Sequence, residues 1–230
     1  MRFFILLFLS FLISSFALSE PAAKIVKLEG KVLLYPNGQV KPVAANIDAL
    51  PMQLNAGDKI RVKRNASAVV LLPDASVVLL TEKSTLILKS SYNHFIETGK
   101  ILYDIKKQKS IGGLIVATKS AIIGVKGTQF MVKENKGANA IFLQEGEITV
   151  ESTKAEFKRA VQQEQDEFAQ FKNEFNDYKK QMQEEFVEYV KSITLKEGKA
   201  INISGDNTVS DVKFTQSDKD DFALLNSLSY

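Results

Sequence analysis

Between Lys24 and Glu151 the chain breaks into short runs rich in β-branched, aliphatic and aromatic residues: "KIVKL", "KVLLY", "DKIRV", "ASAVVLL", "SVVLL", "TLILK", "HFIET", "ILYDI", "LIVAT", "SAIIG", "TQFMVK", "AIFLQ" and "EITVE". Turn residues separate them, among them Glu29-Gly30, Pro36-Asn37-Gly38, Ala56-Gly57-Asp58, Pro73-Asp74, Thr98-Gly99 and Glu145-Gly146. Runs this short and this regularly punctuated are too brief for helices and predict an antiparallel β-sandwich or barrel. "TLILK" and "EITVE" alternate apolar with polar, the pattern of strands with one buried face. "AVVLL" and "SVVLL" are apolar throughout, which predicts strands covered on both faces. The one loose stretch, Gln39 to Asn55, contains Pro42 and Pro51 and is expected to wrap an edge.

The N-terminus is of another kind. Arg2 precedes the apolar run "FFILLFLSFLISSFALS", which ends in small residues before Glu20-Pro21, so residues 1–19 read as a secretory signal cleaved before Glu20. A retained N-terminal anchor is the other reading. Either way the rest of the chain is expected outside the cytoplasm, in the periplasm or an equivalent space, with no membrane span after signal removal. With no cysteine among its 230 residues, the chain has no disulfide, no thiolate metal site and no lipobox, and must be stabilised by packing. Residues 20–152 carry 18 Lys/Arg against 12 Asp/Glu, net +6, whereas residues 153–192 (7 against 9) and 193–230 (4 against 6) are each net −2. The basic residues are scattered among strands and form no stripe, which argues against nucleic acid.

At Ser152 the period changes. Thr153 with Glu156 has the form of a capping box, and no Gly or Pro follows until Ser192. Residues 153–192 are therefore predicted to form one long amphipathic, coiled-coil-like helix of roughly 60 Å. Its apolar residues recur every seven positions, with Val161, Phe168, Phe175, Met182 and Tyr189 at one position, Phe157, Phe171 and Tyr178 at the complementary one, and Phe186 beside them. The stripe could pack on the chain's own β domain. A helix longer than the domain would overhang it, so self-association or a partner helix is favoured. Residues 193–230 return to strand character and then, from Ser217 with Asp220, to a short helix carrying Phe222, Leu225 and Leu228.

Catalytic chemistry finds few parts. "AIIGVKGTQF", Ala121 to Phe130, has only two residues between Gly124 and Gly127, with Lys126 between the glycines, and continues as a strand through Thr128 and Phe130. A phosphate loop needs four residues there and a helix after it, so Gly124, Gly127, Thr128 and Phe130 are assigned to strand and turn geometry. His94, the sole histidine, lies on a predicted strand and is expected to be a surface or hydrogen-bonded residue. Glu145 and Glu147 are the pair to inspect for glycoside hydrolysis, but two apart on a strand they are expected to be solvated. A calcium site at Asp206-Asn207 or Asp218 to Asp221 lacks the EF-hand spacing. No catalytic residue, cofactor or metal is expected.

Taken in order, "LEGKVLL" (28–34), "LNAGDKIRVKRNASAVVLLPDASVVLL" (54–80), "ETGKILYDI" (97–105), "LIVATKSAIIGVKGTQFMV" (114–132) and "LQEGEITVES" (143–152) resemble the FecR domain of bacterial extracytoplasmic sensor and envelope proteins. The most specific piece is the A-x-x-G-x-x-G-T-x-F block followed by EG-x-I-x-V. The resemblance implies a non-enzymatic, jelly-roll-like β-sandwich acting through protein contacts. The best-known relatives pass a signal from an outer-membrane receptor to a sigma factor. Here no cytoplasmic region precedes the hydrophobic segment, so direct sigma-factor regulation is not expected. Pro73-Asp74-Ala75-Ser76 also departs from the family's Asp-Gly-Ser, which predicts a type I or longer turn. The favoured function is protein interaction and scaffolding in an envelope assembly, with partners or further copies bound through the long helix. The alternatives are a periplasmic component of cell-surface signalling and a glycan-binding or glycan-active protein.

Overall fold

The computed structural model describes residues 21–107, 113–160 and 187–228. Their order begins β1 (Ala23–Glu29), β2 (Val32–Tyr35), β3 (Val43–Ala44), β4 (Met52–Leu54), β5 (Lys59–Val62), β6 (Ser67–Leu71), β7 (Val77–Leu80), β8 (Thr85–Ser90) and β9 (Asn93–Asp104). It continues with β10 (Leu114–Ala117), β11 (Ala121–Val125), β12 (Gln129–Asn135), β13 (Ala138–Glu145) and β14 (Glu147–Ser152). After these come β15 (Phe157–Ala160), β16 (Val187–Val190), β17 (Ser192–Lys196), β18 (Ala200–Ile203), β19 (Thr208–Val212) and helix α1 (Gln216–Ser227). The expectation of a mainly β chain agrees with this.

Two sheets share β9. One runs β4-β1-β6-β7-β9-β12-β13-β18-β19-β15-β16, and the other β3-β2-β5-β8-β9-β10-β11-β14-β17. The pairings β9–β10 and β15–β19 are parallel and the others antiparallel. Strand β9 changes sheets at Gly99, whose φ is +94°; a Cβ there would lie 2.4 Å from Ser84 Cα, so glycine permits both the bend and the close backbone.

Alternate residues of both sheets point inward. Val70, Val78, Leu80, Ile101, Phe130 and Val132 from the first meet Ile60, Leu86, Leu88, Ile96, Val116, Ile123 and Val150 from the second in one core. The opposite parity of the first sheet is apolar too: Val69, Val77, Leu79, Leu102, Met131 and Phe142 pack against Phe222 and Leu225 of α1. That accounts for the all-apolar "AVVLL" and "SVVLL". Both faces of those strands are dry, one toward the other sheet and one toward the helix. Helix α1 is also tied down by polar contacts of Lys133 with Asp218, Lys100 with Asp221 and Gln129 with Asn226.

The predicted 153–192 helix is overturned at both ends. Residues 157–160 and 187–190 are strands paired with each other, Phe157 opposite Val190 and Lys158 opposite Tyr189. The capping box does not form, because the Thr153 hydroxyl donates to Lys119 O (2.9 Å) and its backbone N–H to Ser120 O (3.2 Å). Asn207 Nδ2 then holds Ala155 O (2.7 Å) and Ser152 Oγ (3.1 Å), fixing an extended entry. Phe157 is fully buried in the core, so burying its ring between the sheets outweighs the local helix signal. Val161, Phe168, Phe171, Phe175, Tyr178, Met182 and Phe186 lie outside the described residues, as does the predicted signal segment 1–19.

Candidate interaction surface

With α1 packed on the outer face of the first sheet, the outer face of the second is the large sheet surface left open among the described residues. The strands that build it alternate: in β11, Ala121, Ile123 and Val125 are buried while Ile122 and Gly124 face outward; in β10, Leu114 and Val116 are buried and Ile115 faces outward. Ile115 is 44% and Ile122 36% exposed, in slots where a solvated strand face ordinarily carries polar side chains.

Cross-strand register brings distant residues into one row. Lys59 lies opposite Ile87, Ile87 opposite Phe95, Phe95 opposite Ala117, Ala117 opposite Ile122, and Ile122 opposite Glu151. Tyr35 continues the row beyond Lys59, and Ser192 beyond Glu151. An apolar stripe therefore crosses β8, β9, β10 and β11, flanked by a cation on β5 and an anion on β14. Lys59 also pairs with Glu97 (2.8 Å), and Lys89 Nζ stands 5.4 Å from the Phe95 ring centroid. The sequence signal for this face was the outward isoleucine in "LIVAT" and "SAIIG", apolar at both parities of a short strand. Sequence reasoning took these segments only as strands and missed the face.

The motif residues divide between the two sides. Gly124, on the open face, needs no special freedom, since a Cβ there would meet nothing closer than Thr149 O at 3.9 Å. Gly127 is different: φ is +63° and a Cβ would come within 2.9 Å of Lys107 Cα. Thr128 and Phe130 are buried, and Phe130 stacks on Tyr103 with centroids 4.8 Å apart. Of the other predicted interaction residues, Phe157 belongs to the core and Tyr189 is 60% exposed on edge strand β16.

His94 is not a surface residue. It is fully buried, its Nε2 is 3.2 Å from Ser91 O, and burial pushes its pKa down to about 4, with the Ser91 hydrogen bond opposing. Its Nδ1 and the buried Tyr103 hydroxyl have no hydrogen-bond partner among the described residues; burial holds the Tyr103 phenol far above its ordinary value. A neutral imidazole sealed in the core reaches no substrate. Glu145 and Glu147 are exposed on either side of Gly146, Glu147 opposite Lys196. The Asp206 carboxylate is occupied by Ser204 Oγ (2.5 Å) and Thr208 Oγ1 (2.9 Å), which hold its pKa down to about 2. Asp218 caps α1 and Asp221 pairs with Lys100. The Asp206 carboxylate thus serves a turn and those of Asp218 and Asp221 the helix, and among the described residues no three His, Asp or Glu side chains gather as a metal site.

The family model described as FecR protein matches residues 58–158. Two crystal structures of a candidate anti-sigma factor from Parabacteroides distasonis ATCC 8503 are similar at 16% identity, with TM-scores of 0.49 and 0.48. The similarity covers 74% of this chain and 65% and 64% of theirs, so this chain spans a little under two thirds of their length. No curated protein matches the sequence. Among the described residues no helix is long and apolar enough to cross a membrane. The matched span runs from the start of β5 into β15 and contains the A-x-x-G-x-x-G-T-x-F block, so residues 58–158 are the part of this chain that is similar to the FecR domain.

Proposed function

We propose that this protein is an extracytoplasmic, non-catalytic component of cell-surface signalling that works through protein–protein docking on the open face of its second sheet. The FecR match over residues 58–158 carries this reading. The geometry adds a reason for the face: β11, inside the most specific block of that match, presents Ile122 outward instead of a polar side chain. The sealed His94 and the structurally occupied carboxylates support the non-catalytic part.

The test is a photocrosslinking amino acid at Ile115 in cells, with and without an envelope stimulus. A crosslink to a protein, changed in yield by the stimulus and lost in Ile122→Arg, is the expected result. A crosslink indifferent to every stimulus would favour the second reading, scaffolding of an envelope assembly, through the same face. No crosslink at Ile115, with normal signalling by Ile122→Arg, overturns the docking reading.

A further inference from the structure

The row across the second sheet has an order that matters. Read from β5 to β14 it is Lys59, Ile87, Phe95, Ala117, Ile122, Glu151. From its midpoint, between β9 and β10, the first three residues match the last three taken in reverse: large Phe95 with small Ala117, Ile87 with Ile122, cationic Lys59 with anionic Glu151. The next position out pairs Tyr35 with Ser192, two hydroxyls. We infer that the occupant of this face is a second copy of the chain, stacked sheet on sheet about a two-fold axis that lies in the interface and runs along the strands between β9 and β10.

Such an axis carries each position across the sheet onto its mirror position in the partner while keeping it in the same row. Every contact then occurs twice, Lys59 to Glu151 and Glu151 to Lys59, as an isologous interface requires. The other in-plane axis, perpendicular to the strands, would set Lys59 on Lys59 and Glu151 on Glu151. Repulsion of like charges selects against it. Facing sheets pack about 10 Å apart, close enough for Ile87 and Ile122 to interdigitate and for Lys and Glu side chains to meet at the rim. The Lys59–Glu97 pair within one chain is half-exposed, and a lysine ammonium with three donors can keep Glu97 and still reach a second carboxylate.

Six strands about 4.8 Å apart, with four to six residues each at about 3.3 Å, give a face roughly 25 Å by 15 Å. That is the low end of interface sizes, so the dimer is weak and concentration-dependent. It also covers the chain's open apolar face without a foreign partner. The inference rests on reading that face as a docking surface, and its test separates the two.

The experiment is sedimentation velocity on the full exported chain from low micromolar to several hundred micromolar, with thermal melting of each variant. A monomer–dimer equilibrium is expected. Ile122→Arg should weaken it at least about tenfold without lowering the melting temperature, because Ile122 is already partly exposed. Lys59→Glu and Glu151→Lys should each weaken it as homodimers. Mixed together they should restore it, since both charge contacts of the mixed pair are then complementary. Conservative Lys59→Arg should behave as the parent. A chain that stays monomeric throughout, a dimer indifferent to Ile122→Arg, or a mixture that fails to restore association overturns the self-pairing. If the chain is monomeric and the Ile115 crosslink in cells goes to a different protein, the docking reading stands and self-pairing falls. If the chain dimerises as described while the crosslink is to itself and insensitive to stimulus, self-pairing stands and the signalling reading falls.

Discussion

Three core positions carry consequences that burial alone would not suggest. His94 is neutral in the fold, with its pKa pushed down to about 4, whereas an unfolded histidine titrates near 6.5. Because the folded value is the lower one, the unfolded state takes the proton first. Stability is therefore intact above pH 6.5 and falls as pH drops from 6.5 toward 4, by about 3 kcal/mol over that window. Denaturant melts at pH 7 and pH 5 should show about 2 kcal/mol of this loss in the parent chain and a much smaller one in His94→Leu. Tyr103 buries a hydroxyl that has no partner among the described residues, so Tyr103→Phe should keep the stability or raise it by up to about 1 kcal/mol in the same melts. Gly127 combines a positive φ with Lys107 standing where a Cβ would lie. Gly127→Val should cost about 1–3 kcal/mol, while Lys126→Ala, at an exposed side chain, should leave the melt unchanged.

Helix α1 shows how a local signal and a tertiary one converge. The sequence points to a helix start at Ser217 with Asp220, yet the capping box forms two residues earlier, between Thr215 and Asp218. Asp218 is fully buried, and burial alone would raise its pKa. The contacts from Lys133 and from the Thr215 hydroxyl and backbone outweigh burial and keep it ionised. Only the residue that reaches Lys133 on β12 gains this pair, so the tertiary contact decides which candidate cap is used. Asp218→Ala should remove the Asp218 half of the capping box and strand the lysine, costing about 2 kcal/mol, and should speed hydrogen exchange of the α1 amides before those of β9 and β12. The hairpin joining β6 and β7 shows the same economy. Ala75 takes φ +63° behind a turn closed by Ala75 N–H to Leu72 O (3.1 Å), where the FecR resemblance puts glycine. The family's glycine thus has a physical reason that this chain forgoes.

The span that matches the FecR family takes strand neighbours and helix cover from outside itself. Its β6 is flanked by β1, its β5 by β2, its β13 by β18 and its β14 by β17, all supplied from outside residues 58–158. Its apolar Val69, Leu79, Leu102 and Met131 are covered by α1. A fragment of residues 58–158 alone should leave those edges and that face bare, and should show no dispersed amide spectrum where the full chain does. The long β9, shared by both sheets, makes the same point for cooperativity. Loss of either sheet removes a partner of the other, so the described residues should melt in a single transition.

The β character of the chain could be read from the order of residues because alternation and turn chemistry are local, written within five or six neighbours. The doubly covered strands "AVVLL" and "SVVLL" were legible for the same reason, although not what covers them. The fate of Thr153 to Phe157 was not. Its helical pattern is genuine as a pattern, and it loses to bonds from Lys119, Ser120 and Asn207 and to a cavity between sheets that fits the Phe157 ring. None of those is near in sequence. The open face is further still from local reach: Lys59, Ile87, Phe95, Ala117, Ile122 and Glu151 become neighbours only through strand register. Register is set by the packed core beneath, since slipping any one strand by a residue would turn its buried face to water.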